Sequence, residues 1–336
     1  MFEALRAAFA TAQRIAIVTH VRPDGDAMGS SLGLADYLAA RGHQVTVITP
    51  SAVPDYLTWL PGATVVADHP AAAERIETAL GEYPWLFALD FGQWARTEAL
   101  AERLRGYRGQ IVNIDHHLEN EGFAQYPYLD TEASSTCELV YRFLSALDPQ
   151  WQPTAAQATC LYTGLMTDTG SFRFSSTTAA VHRVVAELLE AGADVQRIHR
   201  RVYDSYTERR TRLLGYCLSE KLRVLPELRT AYITLSAQEQ ARFGVVPGDT
   251  EGIVNYALGI RGMNLGVILI EYPDQVKLSF RSVGQFSAAK LAGHFAGGGH
   301  YNAAGGQSTE SLAATEAKLL QLLHDHSSEL NYTPDA

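Results

Sequence analysis

Cysteine is scarce in this sequence: Cys137, Cys160 and Cys217 are the three in 336 residues. They are widely spaced and form no Cys-x-x-Cys pair, which excludes a disulfide framework and a thiolate zinc site and points to a reducing compartment. No apolar run approaches the ~18 residues of a membrane span. The N-terminal MFEALRAAFATAQ carries both signs of charge in place of the basic start and continuous apolar core of a signal peptide, so a cytoplasmic protein is expected. Net basic charge is absent too. The formal charge of −10 works against long-range attraction to duplex nucleic acid or a membrane surface, yet permits a local basic groove around a short ligand. Internal repeats and low-complexity tracts are also missing. What remains is an ordinary globular composition, 46% hydrophobic and 19% charged, at a length that predicts two domains.

Short apolar runs at 15–19, 45–49, 64–66, 85–89 and 110–114 alternate with helix-forming stretches such as 30–40 and 72–80. Repeated βα units predict an α/β fold with a mostly parallel sheet flanked by helices, whose ligands sit beyond the carboxyl ends of the strands. Three of these runs lead straight into acids or histidines: one into His20 and Asp24-Gly25-Asp26, one into Asp90, one into Asp115-His116-His117. Beyond residue 134 the pattern turns helical. Ser134-Ser135-Thr136-Cys137-Glu138 reads as a capping box opening a helix at 139–146, and Thr154 starts a helix that ends at Thr167-Asp168-Thr169-Gly170. Helices at 177–191 and 208–222 follow. In the segment 197–212, Arg197, Arg200, Arg201, Arg209, Arg210 and Arg212 are interspersed with Asp204 and Glu208, which reads as a solvated connector face. A second alternation then gives a strand at 230–235, a helix at 249–258, a hairpin of 264–271 and 275–280, a helix at 287–295, the loop Ala296-Gly297-Gly298-Gly299-His300 and a last helix at 310–326. The expected division is a catalytic metal-binding domain at 1–190, a helical connector at 191–228 and a smaller α/β substrate-binding domain at 229–330, with a frayed tail beyond it.

Taken singly, each acid has an ordinary explanation, since an aspartate after a strand commonly caps a helix or turns the chain. Together, four aspartates and two histidines at neighbouring strand and helix ends repel one another and lose solvation unless cations hold them. Carboxylates outnumber imidazoles and thiolates are absent. That donor set suits manganese, with magnesium, iron or cobalt as alternatives, over structural zinc. A pair of such ions fits phosphoester hydrolysis. Asp24 and Asp26, with Gly25 between them, can point to different ions from a tight turn, and Gly29-Ser30 is expected to open a helix whose N–H groups meet an anion.

The motifs His20-Val21-Arg22-Pro23-Asp24-Gly25-Asp26-Ala27-Met28-Gly29-Ser30, Asp90, Asp115-His116-His117, Thr167-Asp168-Thr169-Gly170-Ser171 and Gly297-Gly298-Gly299-His300-Tyr301-Asn302-Ala303-Ala304-Gly305 stand in order along nearly the whole chain. Together they resemble the DHH/DHHA1 phosphoesterases of the NrnA type, bifunctional oligoribonucleases (nanoRNases) and pAp phosphatases. The resemblance implies two Mn²⁺ ions, with Mg²⁺ or Co²⁺ as alternatives: His20 and Asp24 on the first, Asp26, His116 and Asp168 on the second, and Asp90 bridging. It also implies that Asp115 orients a neighbouring ligand and that His117 contacts the scissile phosphate or assists the leaving oxygen. Gly298, Gly299, His300 and Asn302 would meet a substrate phosphate, and Arg261 and Arg281 would clamp the 5′-terminal phosphate or contact the base. Phe172 and Phe174 either stack on a base or belong to the core.

The activity implied is hydrolysis of very short RNA from the 5′ end to nucleoside 5′-monophosphates, and of 3′-phosphoadenosine 5′-phosphate (pAp) to AMP. A phosphodiesterase for pApA or cyclic dinucleotides is the alternative. An inorganic pyrophosphatase of the related DHH/DHHA2 group is disfavoured by the glycine motif at 297–305, and a nucleotide-binding regulator with a dead metal site by the complete set of ligands. The partners implied are short oligoribonucleotides and small nucleotides, without long duplex nucleic acid or membrane; a homodimer is left open.

Overall fold

The computed structural model describes residues 1–62, 65–67, 72–204 and 206–332, with the backbone alone at 65–67. The chain divides into two compact units, Met1–Ser205 and Tyr206–Ala336.

Among the described residues, six strands form the sheet of the first unit: β1 Arg14–Val18, β2 Gln44–Thr49, β3 Val65–Ala67, β4 Trp85–Leu89, β5 Gln110–Asp115 and β6 Tyr126–Leu129. Their order is β3-β2-β1-β4-β5-β6, and every pairing is parallel. The helices are α1 Phe2–Ala8, α2 Gly25–Ala40, α3 Ala73–Glu82, α4 Ala101–Arg105, α5 Thr136–Leu147, α6 Ala155–Asp168, α7 Ala179–Glu190 and α8 Val195–Tyr203. Strand alternation sorts the core into two layers. Ile15, Ile17, Phe87, Leu89, Val112 and Ile114 pack under α2, α5 and α6. Ala16, Val18, Leu86, Ala88 and Ile111 face α3 and α4. Each fully buried large apolar side chain contributes about 1.5–3 kcal/mol.

The expected strands are present to within a residue, except that Thr64, where the one at 64–66 was to begin, lies outside the described residues. β6 was not anticipated: Tyr-Pro-Tyr-Leu is short and half-exposed, and its proline is tolerated because the strand sits at the sheet edge. The helix placed at 139–146 begins at Thr136, because Ser135 rather than Ser134 is its N-cap. Phe172 is partly buried and packs on the core, its ring against Tyr162 and His182, whereas Phe174 is 43% exposed.

The second unit holds a mixed sheet of β7 Leu222–Leu225, β8 Thr230–Leu235, β9 Leu265–Glu271, β10 Val276–Ser282, β11 Gly298–His300 and β12 Ala303–Ser308, ordered β11-β12-β10-β9-β8-β7. Its helices are α9 Glu208–Tyr216, α10 Ala237–Phe243, α11 Ile253–Leu258, α12 Ala288–Gly293, α13 Leu312–Asp325 and α14 Ser327–Leu330. The helix expected at 249–258 is cut back to α11 because Gly252 turns at φ +75°. The expected glycine loop is in fact the edge hairpin β11–β12. Glycine disguises it, since a strand without side chains has no apolar alternation to read; here the backbones approach so closely that a Cβ on Gly297 would lie 2.0 Å from Gly305 O. The expected tail lies largely outside the described residues, at 333–336. Among the described residues no helix is long and apolar enough to cross a membrane.

Candidate metal centre

All strands of the first sheet run the same way, so the residues that follow β1 and β4 and those that end β5 share one edge. β1 and β4 are also the neighbours at which the strand order reverses, the place where open α/β sheets bind ligands.

The helix after β1 starts at Gly25, five residues before Ser30, where the sequence suggested it would open. Asp24 is the cause. Its Oδ1 accepts the backbone N–H groups of Asp26 and Ala27, each at 3.0 Å, so the acid is itself the N-cap. Gly29 and Ser30 are therefore buried inside the helix, their N–H groups spent in its ladder. The helix end that receives an acidic side chain from elsewhere in the chain is that of α5. Thr136 N donates to Asp26 Oδ2 at 2.6 Å and Cys137 N to Asp26 Oδ1 at 2.8 Å, while Thr136 Oγ1 donates to Asp90 Oδ1 at 2.9 Å. Thr136 was missed in the sequence because, in a Ser-Ser-Thr run at a helix start, each hydroxyl reads equally well as a cap.

Close crossing of α2 and α6 sets Asp26 beside Asp168. A Cβ on Gly29 would lie 2.4 Å from Cys160 O, and one on Gly164 would lie 2.2 Å from Cys137 Sγ and 2.8 Å from Asp26 Oδ1. Asp168 is the last residue of α6, whose start at Thr154 is fixed by a capping box with Gln157. Asp90, directly after β4, turns the chain at φ +65°. A left-handed conformation at a residue with a Cβ costs about 1–2 kcal/mol, so the surrounding structure must hold it.

Two of the groups that the side chains form carry the six expected ligands. One ligand atom each from His20, Asp24 and Asp90 lie within 4.8 Å of one another, as do one each from Asp26, His116 and Asp168. Asp90 touches both, with Oδ2 3.3 Å from His20 Nε2 and Oδ1 3.6 Å from His116 Nε2. His116 Nε2 is also 3.4 Å from Asp168 Oδ2 and 3.8 Å from Asp26 Oδ2. Each imidazole has its Nδ1 on a backbone carbonyl, Val21 O at 2.8 Å for His20 and Ala133 O at 3.2 Å for His116. In a neutral ring with its proton on Nδ1, each Nε2 lone pair points at carboxylate oxygens, an arrangement of acceptor against acceptor that a proton or a metal cation resolves. Asp115 Oδ1 accepts from His117 Nδ1 at 2.7 Å and from His117 N at 3.2 Å, while its Oδ2 is buried without a hydrogen bond.

Electrostatics bear out the crowding. Burial and then the charge of Asp90 hold the Asp26 carboxyl well above the usual range. Burial pushes Asp168 up to about 7, with the charges of Asp24 and Asp90 adding to it and His116 opposing. Burial acts the same way on Asp90, but its bond to His20 and the nearby His117 and His116 rings outweigh it and hold this carboxyl below the usual range. Burial lowers His20 and His117, yet their bonds to Asp90 and Asp115 prevail and keep both above 6.5. The Asp90 carboxyl is thus held in its charged form while burial favours the proton on Asp26 and Asp168, as expected of a site that exchanges protons for metal.

In the second unit, Arg281 lies within β10 opposite Gly266 and Ala303, on the face it shares with Lys277 and Ser279. Arg261 is exposed in the turn after α11, a helix that ends at Leu258 as expected. Gly298 and Gly299 are exposed on the edge strand β11, which His300 ends, and Gly299 has φ +142°. Asn302 has its amide nitrogen on Ser282 Oγ at 2.9 Å, which ties the hairpin turn to the end of β10.

The DHH family N-terminal domain matches residues 14–165, and the DHHA1 domain matches residues 230–327. The bifunctional oligoribonuclease and PAP phosphatase NrnA of Thermus thermophilus is 34% identical over 87% of this chain and 83% of that protein. The cyclic-di-AMP phosphodiesterase GdpP of Geobacillus thermodenitrificans is 26% identical over 96% of this chain, which spans 49% of that longer protein. Among solved structures, an exopolyphosphatase-related protein from Bacteroides fragilis superposes with a TM-score of 0.93 at 36% identity, covering 98% of this chain and 97% of the other. With both matched domains in order and the charged ends of β1, β4 and β5 gathered at one sheet edge, the chain belongs to the DHH/DHHA1 phosphoesterase family.

Proposed function

We propose that the protein is a divalent-metal phosphoesterase that degrades very short oligoribonucleotides from the 5′ end to nucleoside 5′-monophosphates and converts pAp to AMP. The observation that carries this reading is the Asp90 carboxylate, whose two oxygens face His20 in one group and His116 in the other. Similarity to a relative named for both activities supports the substrate pair.

The two reactions are chemically one. In pAp and in a 5′-phosphorylated oligonucleotide alike, water adds to a phosphorus atom and the bond from that phosphorus to the 3′-oxygen of the first nucleotide breaks. A nucleoside 5′-monophosphate with a free 3′-hydroxyl departs, together with inorganic phosphate in one case and the shortened, 5′-phosphorylated chain in the other. An anchor for the 5′-phosphate therefore selects the bond in both.

His20 and Asp24 would hold one ion and Asp26, His116 and Asp168 the other, with Asp90 between them. The mixture of carboxylate and imidazole fits Mn²⁺, with Mg²⁺ or Co²⁺ as alternatives. Such ions supply, when bound, positive charge that acidifies a water and offsets the charge growing on the phosphoryl oxygens. Asp115 holds the His117 ring through Nδ1, so proton exchange with the substrate falls to Nε2. Kept above the usual histidine range by Asp115, His117 is suited to give the departing 3′-oxygen its proton. Arg281 and Arg261 supply the bidentate charge for a 5′-phosphate, and Gly298, Gly299, His300 and Asn302 form the remainder of the phosphate-binding surface.

A cyclic dinucleotide has no terminal phosphate for that anchor, and the cyclic-di-AMP phosphodiesterase matched by this chain is about twice its length. Incubating the protein and Mn²⁺ with pAp, pApA, a 5′-phosphorylated pentamer, a long RNA, cyclic di-AMP and pyrophosphate tests the assignment. Release of AMP from pAp and pApA, with the long RNA and pyrophosphate spared, is expected. Turnover of cyclic di-AMP alone, or of pyrophosphate alone, overturns it.

A further inference from the structure

Asn113 stands in the middle of β5 with no solvent exposure, between Val112 and Ile114 in a stretch from Ile111 to Ile114 that is otherwise apolar. An amide in such a place is costly unless every polar group is paired. Here both sides of the amide are engaged. Nδ2 donates to Ala88 O and to Phe91 O, each at 3.0 Å, and Oδ1 accepts from Asn120 Nδ2 at 2.8 Å. Asn120 Oδ1 in turn accepts from Gly122 N at 2.9 Å.

The two carbonyls bracket Asp90. In an extended strand, carbonyls three residues apart point to opposite sides, so those of Ala88 and Phe91 converge on one amide only because the chain turns between them, at Asp90 with φ +65°. The backbone N–H of Asp90 is fixed as well, on Ile114 O at 3.1 Å. The loop after Asp90 and the loop after His117 are fastened where these amides meet. Glu121 N donates to Gly92 O at 2.8 Å, and a Cβ on Gly92 would lie 2.2 Å from Glu119 O.

We propose that Asn113 is a positioning residue: its amide clamps the strained turn at Asp90, and thereby sets how tightly the centre binds divalent cations. This rests on the reading of Asp90 as a ligand. Outer partners of metal ligands typically change affinity by about 10–100-fold when removed, and the strained backbone puts Asn113 in that class.

The test is titration of the metal-free protein with Mn²⁺, followed by calorimetry or by loss of the free-ion paramagnetic resonance signal, with circular dichroism recorded before metal is added. Asn113→Leu keeps the volume and removes both donors, and a loss of affinity of about tenfold or more is expected with the fold intact. Asn113→Thr, which retains one donor, should lose less, and stands in for Asn113→Leu should the latter not fold. Asn120→Ala leaves both donors in place and should lose about threefold at most. Unchanged Mn²⁺ affinity in folded Asn113→Leu and Asn113→Thr, beside weakened binding in Asp90→Asn, overturns the clamp alone. Unchanged affinity in Asp90→Asn overturns the ligand reading beneath it.

Discussion

His116 Nε2 and Asp168 Oδ2 stand 3.4 Å apart, although one follows a strand and the other ends a helix. They meet because β5 delivers His116 to the sheet edge and α6 crosses α2 with glycine at the contact. The donor set of the centre thus depends on helix packing as much as on the strands.

That dependence predicts the effect of a single methyl group. Gly164→Ala places a Cβ against Cys137 Sγ and Asp26 Oδ1, and overpacking of this kind costs about 1–3 kcal/mol. Gly81→Ala, on α3 with nothing within 4 Å of the added Cβ, should be neutral or stabilising by up to about 1 kcal/mol. Thermal melts of the two metal-free variants check the contrast. A Gly164→Ala variant as stable as the parent would contradict the crossing.

The stability of the metal-free protein should rise as pH falls from about 8 to about 6. Asp26 and Asp168 are held above the usual carboxylate range, Asp168 at about 7. The folded state therefore binds protons there that the unfolded state does not, and the gain is complete only towards the ordinary carboxylate range. His20 and His117, held above 6.5, contribute stability that is full below that value and is lost as pH rises through their folded values. Both terms have the same sign. Saturating Mn²⁺ should reverse the trend, since metal replaces these protons. Melting temperatures in chelator that increase with pH across this window would refute the account.

Arg281→Ala should raise KM for pApA by about tenfold or more and lower kcat by less than about threefold. On a dinucleotide with a 5′-hydroxyl, the variant and the parent should converge, because the phosphate that the proposed clamp would hold is gone. A loss confined to kcat, or one equal on both substrates, would remove Arg281 from the phosphate anchor.

The sequence shows the centre more clearly than its supports. His20, Asp24, Asp26, Asp90, His116 and Asp168 stand out because charge at the ends of apolar runs breaks the pattern that a buried sheet imposes. Asn113 breaks it too, within Val112-Asn113-Ile114, but its partners at Ala88, Phe91 and Asn120 are carbonyls and an amide that only tertiary structure brings near. The start of α2 was misplaced because the carboxylate of Asp24, expected for metal, also serves as a cap. β6, β7 and the hairpin β11–β12 were missed for a different reason. Edge strands and glycine strands carry little apolar alternation, so their pairing is set by backbone contacts and not by a readable period.

The most direct measurement is AMP release from pApA and pAp as metal-free protein is titrated with Mn²⁺, run beside Asp90→Ala. Turnover of both substrates that is absent in chelator, returns with Mn²⁺ and is lost by about a thousandfold or more in a folded Asp90→Ala variant is the predicted result. Full activity in chelator, or in Asp90→Ala with Mn²⁺, would contradict the account.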